Sequence, residues 1–229
     1  MSTLLLRLAG PLQSWGTRSR FDERDTDLEP SKSGVLGLVS ASLGIERTDW
    51  EKNLEPLTKL RMGVRIDKPG ILRYDYHTAQ EIISADESKI HSTAVTKRYY
   101  LADAMFLVGL EGDDSLLEKI HHSFLNPVWT LSLGRKAFVP SPGVYLKDGL
   151  VKNKSLEEAL AAYPYLPTIE SDEKDKIKIP ERFRYVLEAK TMEGSIRMDQ
   201  LISSFAERKF ASRYVQFDSK KLGDLPKCS

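Results

Sequence analysis

Apolar positions along the chain begin with a strand period and then change to a helical one. Leucines recur at alternate positions from Leu4 to Leu8, which predicts a β-strand over residues 3–9. A long loop containing glycine, proline and many charged residues follows. Ser31 then favours a helix N-cap, the next apolar residues fall on one helical stripe, and Gly44 is expected to end that helix.

The rest of the chain shows shorter periodic segments. The pattern predicts strands over residues 60–67, 70–79, 103–112 and 182–190, and helices over residues 114–126 and 155–163. The strands before and after Lys68-Pro69-Gly70 look like a pair around a turn. Residues 80–97 are polar and rich in turn residues, and the charge run over residues 171–178 is expected to be a solvated loop.

The order of these segments predicts the fold class. Strand, helix, two strands, strand and helix indicate an α+β sandwich with helices on one face of a sheet, close to the ferredoxin or RNA-recognition-motif (RRM) arrangement. A soft domain boundary is expected near residue 127. The part that follows is too short for confident independent folding, so we expect it to pack against the first part.

Composition says little about the class of protein. The 229 residues include 41% hydrophobic and 29% charged residues, which is typical of an ordinary globular protein. The 34 lysines and arginines nearly balance the 33 aspartates and glutamates, so an anionic partner needs a local basic patch. The single cysteine, Cys228, has no partner for an internal disulfide, and Arg7 interrupts the first leucine run. We therefore expect a soluble cytoplasmic protein.

The sequence lacks two common catalytic motifs and shows no spacing typical of metal ligands. It has no phosphate-binding loop with its lysine and no G-x-S-x-G elbow, so hydrolase chemistry of those types is not indicated. The histidines lack the spacing of metal ligands; they are His77, His91, His121 and His122. The acidic residues between Asp22 and Glu29 are expected to form a solvated stretch. No metal and no cofactor are predicted.

Basic and aromatic residues are interleaved in five clusters: TRSRF (17–21), RYDYH (73–77), KRYY (97–100), GRK (134–136) and ERKFASRYV (207–215). Arginine forks and aromatic planes of this kind suit phosphates and stacked bases. The alternative is that the tyrosines are half-buried strand residues and that the cations lie along the surface. The pattern alone favours this alternative.

The start of the first predicted helix adds a physical reason for anion binding. The free backbone amides of Ser33 and Gly34, the positive helix end and the ammonium of Lys32 are together expected to hold an anion. This site lies directly beside the long loop that presents Gln13, Ser14 and Trp15. An equally good interpretation of Trp15 is that it fills the core under that loop.

Several blocks of the sequence resemble one known family. They are LLLRLAGPLQSWG, PSKSGVLGLVSASLGIER, YDYHTA, TKRYYLADAMFLVGL and NPVWTLSLGRKAFVPSPGVYL, with a weaker similarity at ERKFASRYV. In this order they resemble the CasD (Cas five) family, whose members are subunits of type I-E CRISPR surveillance complexes, called Cascade. The resemblance covers most of residues 3–146, and the opening and LGRK blocks are its most specific motifs.

The resemblance implies that the chain has two structural parts. Residues 1–127 would form an RRM-like palm with a β-hairpin thumb at about 79–97, and residues 128–229 would pack on the palm. Such a subunit would hold the 5′ handle of the CRISPR RNA, cap the backbone filament, contact the CasC and CasA subunits, and lie near target DNA. The residues expected to bind RNA are Gln13, Ser14, Trp15, Arg18, Arg20, Lys32, Ser33, Gly34, Tyr76, His77, Lys97, Arg98, Tyr99, Arg135, Lys136, Arg208 and Arg213.

Two features depart from this family pattern, and other functions remain open. Residues 147–205 match no family block, and the acidic first loop is a less obvious RNA surface. Because related Cas five proteins of type I-C cleave repeat RNA, the alternative function is a metal-independent endoribonuclease. Tyr76, His77 and Lys32 would then supply base, acid and cation. A weaker third reading is a protein-binding module without an RNA role.

Overall fold

The computed structural model describes residues 1–16, 22–84, 86–170 and 177–226. Its strands are β1 (Ser2–Ala9), β2 (Leu12–Gln13), β3 (Glu23–Arg24), β4 (Arg61–Lys68), β5 (Ile71–Ile83), β6 (Ile90–Ala102), β7 (Met105–Gly112), β8 (Leu150–Val151), β9 (Phe183–Glu188), β10 (Ser195–Leu201) and β11 (Phe210–Lys220). Its helices are α1 (Lys32–Leu43), α2 (Leu54–Thr58), α3 (Asp114–Ser123), α4 (Leu156–Ala162) and α5 (Leu166–Glu170). The fold is therefore mixed α+β, as the sequence predicts.

Seven strands form one large antiparallel sheet in the order β10-β11-β9-β4-β7-β1-β8. The central strand β4 pairs with β7 on one side and with β9 on the other, and β9 comes more than a hundred residues later in the chain. The sheet thus contains strands from both sides of the boundary expected near residue 127. The two parts share backbone hydrogen bonds, while the boundary itself stays a prediction.

A long hairpin of β5 and β6 leaves this sheet. The two strands pair antiparallel from Ile71 opposite Ala102 to Ile83 opposite Ile90, and the short strands β2 and β3 join the outer side of β6. The expectation that β4 and β5 pair around their turn is wrong, because β4 stays in the large sheet. At Gly70 the backbone φ is +71° and a β-carbon would lie 2.7 Å from the Ala102 carbonyl oxygen, so glycine permits this departure.

The sheet is covered on both faces by apolar side chains. On one face, Leu4 and Leu8 of β1 are buried in the cluster that includes α1 and α3. On the other face, Leu5 is buried in a second cluster formed with α4 and α5. Covering both faces explains why β1 is apolar almost throughout rather than on one face only. No helix in the described part of the chain is long and apolar enough to cross a membrane.

The helix boundaries follow the predicted end signals closely. The Ser31 hydroxyl caps α1 by accepting from the Gly34 amide, and Gly44 ends the helix at a φ of +69°. Helix α3 ends three residues before the predicted end, and α4 is confirmed. The sequence missed β10 (Ser195–Leu201), for which no element was predicted, and β11, whose first part was interpreted as a basic cluster. Most of the predicted loop over 171–178 lies outside the described residues.

One buried ion pair joins β4 to the segment after α4. The Arg65 guanidinium donates to the Asp67 carboxylate at 2.7 Å, and both side chains are completely buried. The guanidinium also donates to the carbonyls of Leu160, Tyr163 and Pro164. Each donor that the pair takes out of water is therefore directed at an acceptor, which is the arrangement that a buried charge requires.

We expect removal of this cation to destabilise the protein strongly. In an Arg65→Met variant the Asp67 carboxylate stays buried without its partner, so the free energy of unfolding should fall by about 3–5 kcal/mol. Chemical denaturation followed by circular dichroism measures this change. Lys152→Met is the control because its pair with Glu118 is solvent-exposed, and it should change little. Equal stability of the Arg65→Met variant and the parent would contradict the expectation.

Candidate nucleic-acid interface

Five separate segments of the chain line one open cleft, which we call the arginine cleft. They are residues 14–16, 24–25, 31–34, 134–135 and 205–210. The cleft contains six of the residues that the sequence singled out: Ser14, Trp15, Ser33, Gly34, Arg135 and Arg208. The fold therefore brings together the opening loop, the start of α1, the GRK cluster and part of the last basic cluster, which are far apart in sequence.

Trp15 and Gln13 are buried under the opening loop and hold it in place. Trp15 is 1% exposed and Gln13 is completely buried. The indole Nε1 donates to the Gln13 side-chain oxygen at 3.2 Å, and the Gln13 amide donates to the carbonyls of Leu8 and Ala104. Of the two interpretations of Trp15, the one in which its ring fills the core under the loop is therefore correct. Both side chains position the loop, and their burial corrects the expectation that they are presented at the surface.

Gly134 fixes the GRK loop against the opening loop. Its φ is +94°, and a β-carbon there would lie 1.8 Å from the carbonyl oxygen of Ser14. The Ser14 amide donates to the Leu133 carbonyl at 3.0 Å. Only glycine allows the two backbones to approach so closely, and the next residue, Arg135, is thereby directed into the cleft.

The guanidinium of Arg135 is half-buried among other cations. It donates to the carbonyl of Tyr99 at 2.8 Å and to that of Arg24 at 3.3 Å. Burial lowers the pKa of Arg135 from its ordinary value; the charge of Arg98 lowers it further, Asp75 raises it, and Arg24 again lowers it. Like charges held this close create a positive potential that favours an anion.

The base of the hairpin adds an exposed aromatic surface. Tyr74 lies opposite Tyr99 with ring centres 5.6 Å apart, and Tyr76 lies opposite Lys97. Residues directly opposite in an antiparallel pair share a face, so these four side chains lie on one side of the hairpin. Tyr74 and Tyr76 are more than half exposed. Exposed rings beside a cation are suited to stacking nucleic-acid bases.

Lys32 is not at the surface, which corrects the expected anion site. Its ammonium is buried and lies 2.9 Å from the Glu188 carboxylate. Burial lowers its pKa, and the charge and hydrogen bond of Glu188 oppose that shift. The Lys32 backbone amide donates to Asp199, while Ser31 accepts from Gly34. Side chains of the protein itself therefore accept from the Lys32 ammonium and the Gly34 amide, two donors that were expected to bind a ligand.

Arg213 belongs to the same buried network. Its guanidinium donates twice to the Asp199 carboxylate, at 2.6 and 2.9 Å, and lies 3.8 Å from Glu188. The side chain is 7% exposed. Its expected contact with RNA is therefore corrected to a structural ion pair between β10 and β11.

Two acidic residues of the first loop, Asp27 and Glu29, do not line the arginine cleft. Glu29 is buried and pairs with Arg197, and Asp27 lies 3.7 Å from the same guanidinium. The expectation of a fully solvated acidic stretch is wrong for Glu29. Burial raises the pKa of Glu29, and Arg197 opposes that shift. Asp25, by contrast, lines the cleft beside Arg24.

Other expected site residues occupy different positions. Lys136 and Arg208 are exposed, and Ser33 is partly exposed in the cleft. Arg18 and Arg20 lie outside the described residues. The sequence missed Arg24 and Phe205, both of which line the cleft. Phe210, which belongs to the ERKFASRYV cluster but was not among the expected RNA-binding residues, lines it as well. Arg24 was hidden within the acidic run, and the two phenylalanines reach the cleft only through the pairing of β10 with β11.

The residues considered for RNA cleavage are not brought together. Tyr76 and His77 are neighbours in β5, so their side chains lie on opposite faces of the hairpin. Lys32, at the start of α1, is buried beside Glu188 of β9. Within the described residues, no group of three or more histidine, cysteine, aspartate or glutamate side chains is placed to hold a metal ion.

Comparison with known proteins gives the class of this chain. The model of a family described as CRISPR-associated protein (Cas_Cas5) matches residues 3–216, which is nearly the whole chain. The chain therefore belongs to this family of CRISPR-associated proteins. The resemblance drawn from the sequence blocks is thereby confirmed.

Individual relatives are more specific. The chain is 37% identical over 153 residues to the CRISPR system Cascade subunit CasD of Escherichia coli strain K12. That match covers 59% of this chain and 66% of the relative, which is just under two thirds of its length. A solved structure titled "Crystal structure of Cas protein" has a TM-score of 0.76, 44% identity and 98% coverage of both chains.

A second solved structure comes from a complex. It is titled "CRISPR RNA-guided surveillance complex" and matches with a TM-score of 0.73 and 29% identity, covering 98% of this chain and 91% of that one. Residues 147–205, which contain none of the family blocks, lie within the span of these structural matches and of the family model.

We expect Gly134→Ala to disturb the arginine cleft. Its added methyl group would collide with the Ser14 carbonyl at a positive φ, so we expect a loss of about 1–3 kcal/mol in unfolding free energy. Gly143→Ala is the matched control because no atom lies within 4 Å of its β-carbon position. Urea denaturation of both variants measures the difference. Equal stabilities would show that the two loops are not held in this contact.

Proposed function

We propose that this protein is a noncatalytic, RNA-binding subunit of a Cascade-type CRISPR complex, and that it holds the 5′ handle of the CRISPR RNA and caps the backbone filament. The family match and the similarity to a Cascade subunit and to a chain of an RNA-guided complex support this proposal. The observation that carries it is the convergence of Arg24, Arg135 and Arg208 on one cleft from three distant segments.

The chemistry of the arginine cleft suits a single strand of RNA. Guanidinium groups bind phosphates through paired hydrogen bonds, and Arg135 is already oriented by the carbonyls of Tyr99 and Arg24. Phe205 and Phe210 supply aromatic surface in the same cleft. Stacking on such rings is insensitive to salt, so a nearly neutral protein can bind RNA with only a few phosphate contacts.

The order of elements supports an RRM-like palm as part of this proposal. Helix α1 connects β1 to β4, and α3 lies between β7 and β8 in the chain. The corresponding strand order β4-β7-β1-β8 places the first and third strands side by side in the centre. That is the arrangement expected of a ferredoxin-like unit, with β9, β11 and β10 added beyond β4.

The hairpin of β5 and β6 supports the proposal of a thumb. It projects over residues 71–102, so it is longer than the segment expected at about 79–97. Ile83 and Ile90 near its tip are 61% and 71% exposed, although they are large and apolar. Such side chains favour a protein or RNA contact in an assembly. We propose CasC and CasA as protein partners, with target DNA nearby and the cytoplasm as the setting.

We expect charge reversal in the arginine cleft to weaken RNA binding. Arg24→Glu/Arg208→Glu changes two exposed side chains without removing the hydrogen bonds of Arg135. If each arginine contacts one phosphate, the slope of log affinity against log salt should become shallower by about 1.4, at about 0.7 per contact. Handle-RNA binding by fluorescence anisotropy over a salt series measures both the affinity and the slope.

The control for this experiment reverses two exposed lysines elsewhere. Lys147→Glu/Lys154→Glu gives the same change in net charge outside the cleft, and it should keep affinity and slope close to the parent's. Denaturing gels of the same mixtures should show full-length RNA. Parental binding by the Arg24→Glu/Arg208→Glu variant would place the RNA elsewhere, and cleaved RNA would overturn the noncatalytic role.

We expect shortening of the hairpin to impair assembly rather than folding. Ala79 lies opposite Ala94, so replacing residues 80–93 by Asn-Gly closes a shorter hairpin in register. The removed part is largely exposed, and the unfolding midpoint should stay close to the parent's. Co-expression with the other complex subunits followed by size-exclusion chromatography should show less incorporation of the shortened chain.

A full-length hairpin provides the matched control for that change. Gln80 and Thr93 lie opposite each other, and exchanging these two residues keeps both composition and length. This exchanged variant should assemble normally. Normal assembly of the shortened chain, or its failure to fold, would rule out a projecting thumb.

A further inference from the structure

A second cleft lies on the large sheet beyond the start of α1. Backbone register places Ile66, Arg184 and Ser219 in one row across β4, β9 and β11, and Phe217 lies beside Val186 in the next row. Directly opposed residues share a face of the sheet, so these side chains form the floor and rim of the cleft. We call this the sheet cleft.

Phe217 is the main exposed apolar group of the sheet cleft. Val215, two residues earlier on the same face of β11, is completely buried, whereas Phe217 is 56% exposed. The helix layer that covers Val215 therefore stops short of Phe217. The Arg197 guanidinium carbon lies over the Phe217 ring, 5.7 Å from its centre. Because the side chain is still more than half exposed, part of the ring is accessible to another planar group.

The charges at the rim leave a net positive edge. Glu29 and Asp27 both lie beside Arg197, and Asp218 lies 3.8 Å from Lys220. Burial raises the pKa of Glu29, and the charges of Arg197 and Arg184 oppose that shift. The four cations Arg182, Arg184, Arg197 and Lys220 therefore outnumber these three carboxylates. Arg184 is exposed.

Arg182 is likewise exposed at this edge, and its guanidinium donates to the hydroxyl and the carbonyl of Ser219. These acceptors are neutral, so the positive charge of Arg182 is retained. Together with Arg184 it provides two guanidinium groups beside the aromatic ring.

We infer that the sheet cleft is a second binding site for single-stranded nucleic acid, in which an unstacked base stacks on Phe217 and its phosphate binds Arg184 and Arg182. An exposed aromatic ring on a sheet face, with arginines at the strand ends, provides both contacts that a single strand offers. The site is separate from the arginine cleft. The two clefts share no lining residue. Ser31 of the arginine cleft and Glu29 and Val186 of the sheet cleft also line a small pocket of their own.

Photocrosslinking tests this inference at residue level. The full chain is mixed with 5-iodouridine octamers of RNA and, in parallel, 5-iodo-deoxyuridine octamers of DNA, irradiated, digested and analysed by mass spectrometry. The chain carrying Arg24→Glu/Arg208→Glu is treated in the same way, so that the sheet cleft is tested without the arginine cleft. We expect a crosslinked peptide containing Phe217 in both chains. Equal crosslinking of RNA and DNA indicates recognition of base and phosphate, and a preference for RNA adds the 2′-hydroxyl.

Substitutions identify the groups responsible. In the Arg24→Glu/Arg208→Glu chain, Phe217→Ala should weaken octamer binding about tenfold and remove the crosslink, while Phe217→Trp should retain both. Arg184→Ala should weaken binding and make the salt slope shallower by about 0.7. Trp129→Ala is the matched control, because Trp129 is 42% exposed and lies outside the cleft.

Two outcomes would overturn the inference. One is that crosslinks occur only in other peptides, with unchanged octamer binding by Phe217→Ala and Arg184→Ala. The other is that a polyglutamate peptide binds this cleft and nucleic acid does not. Neither outcome bears on the arginine cleft, which is tested by its own variants.

Discussion

The buried carboxylate of Asp199 is the constraint on which the two halves of the molecule depend. It accepts from the first amide of α1 and from two nitrogens of Arg213, so one side chain of β10 joins a helix near the start of the chain to strands near its end. Glu188 extends the network by binding the ammonium of Lys32. Because β10 and β11 are held here, the connection between them is placed at the arginine cleft. The network thus positions the candidate site without taking part in it.

The two clefts occupy places where the covering layer of the sheet is incomplete. Helix α1 covers the middle of one sheet face, and its first turn is flanked by the arginine cleft on one side. Beyond the loop that carries Glu29, the same sheet face is open at Phe217. Both clefts present exposed arginines. Asp27 and Glu29 pair with Arg197, while Asp25 stays in the lining of the arginine cleft. Local arrangement, rather than net charge, therefore gives a nearly neutral chain its basic surfaces.

The sequence predicted features that depend on near neighbours and missed those that depend on distant ones. The cap of Ser31, the glycine end of α1 and the leucine period of β1 are local signals, and the structure contains all three. The burial of Lys32 was missed because its partner Glu188 lies 156 residues away. The sequence pattern predicted no strand over residues 80–97, where β5 ends and β6 begins, because strands exposed on both faces lack an apolar period.

The arginine cleft also shows how a binding surface can be kept open at a cost in stability. Arg24, Arg98 and Arg135 repel one another, and the lowered pKa of Arg135 is a direct consequence of burial and of that repulsion. Backbone carbonyls partly offset the cost by accepting from Arg135, but they carry no full negative charge. A phosphate placed among these cations would remove the remaining repulsion. The same groups that destabilise the free protein should therefore stabilise it when RNA is bound, and binding should raise its unfolding temperature.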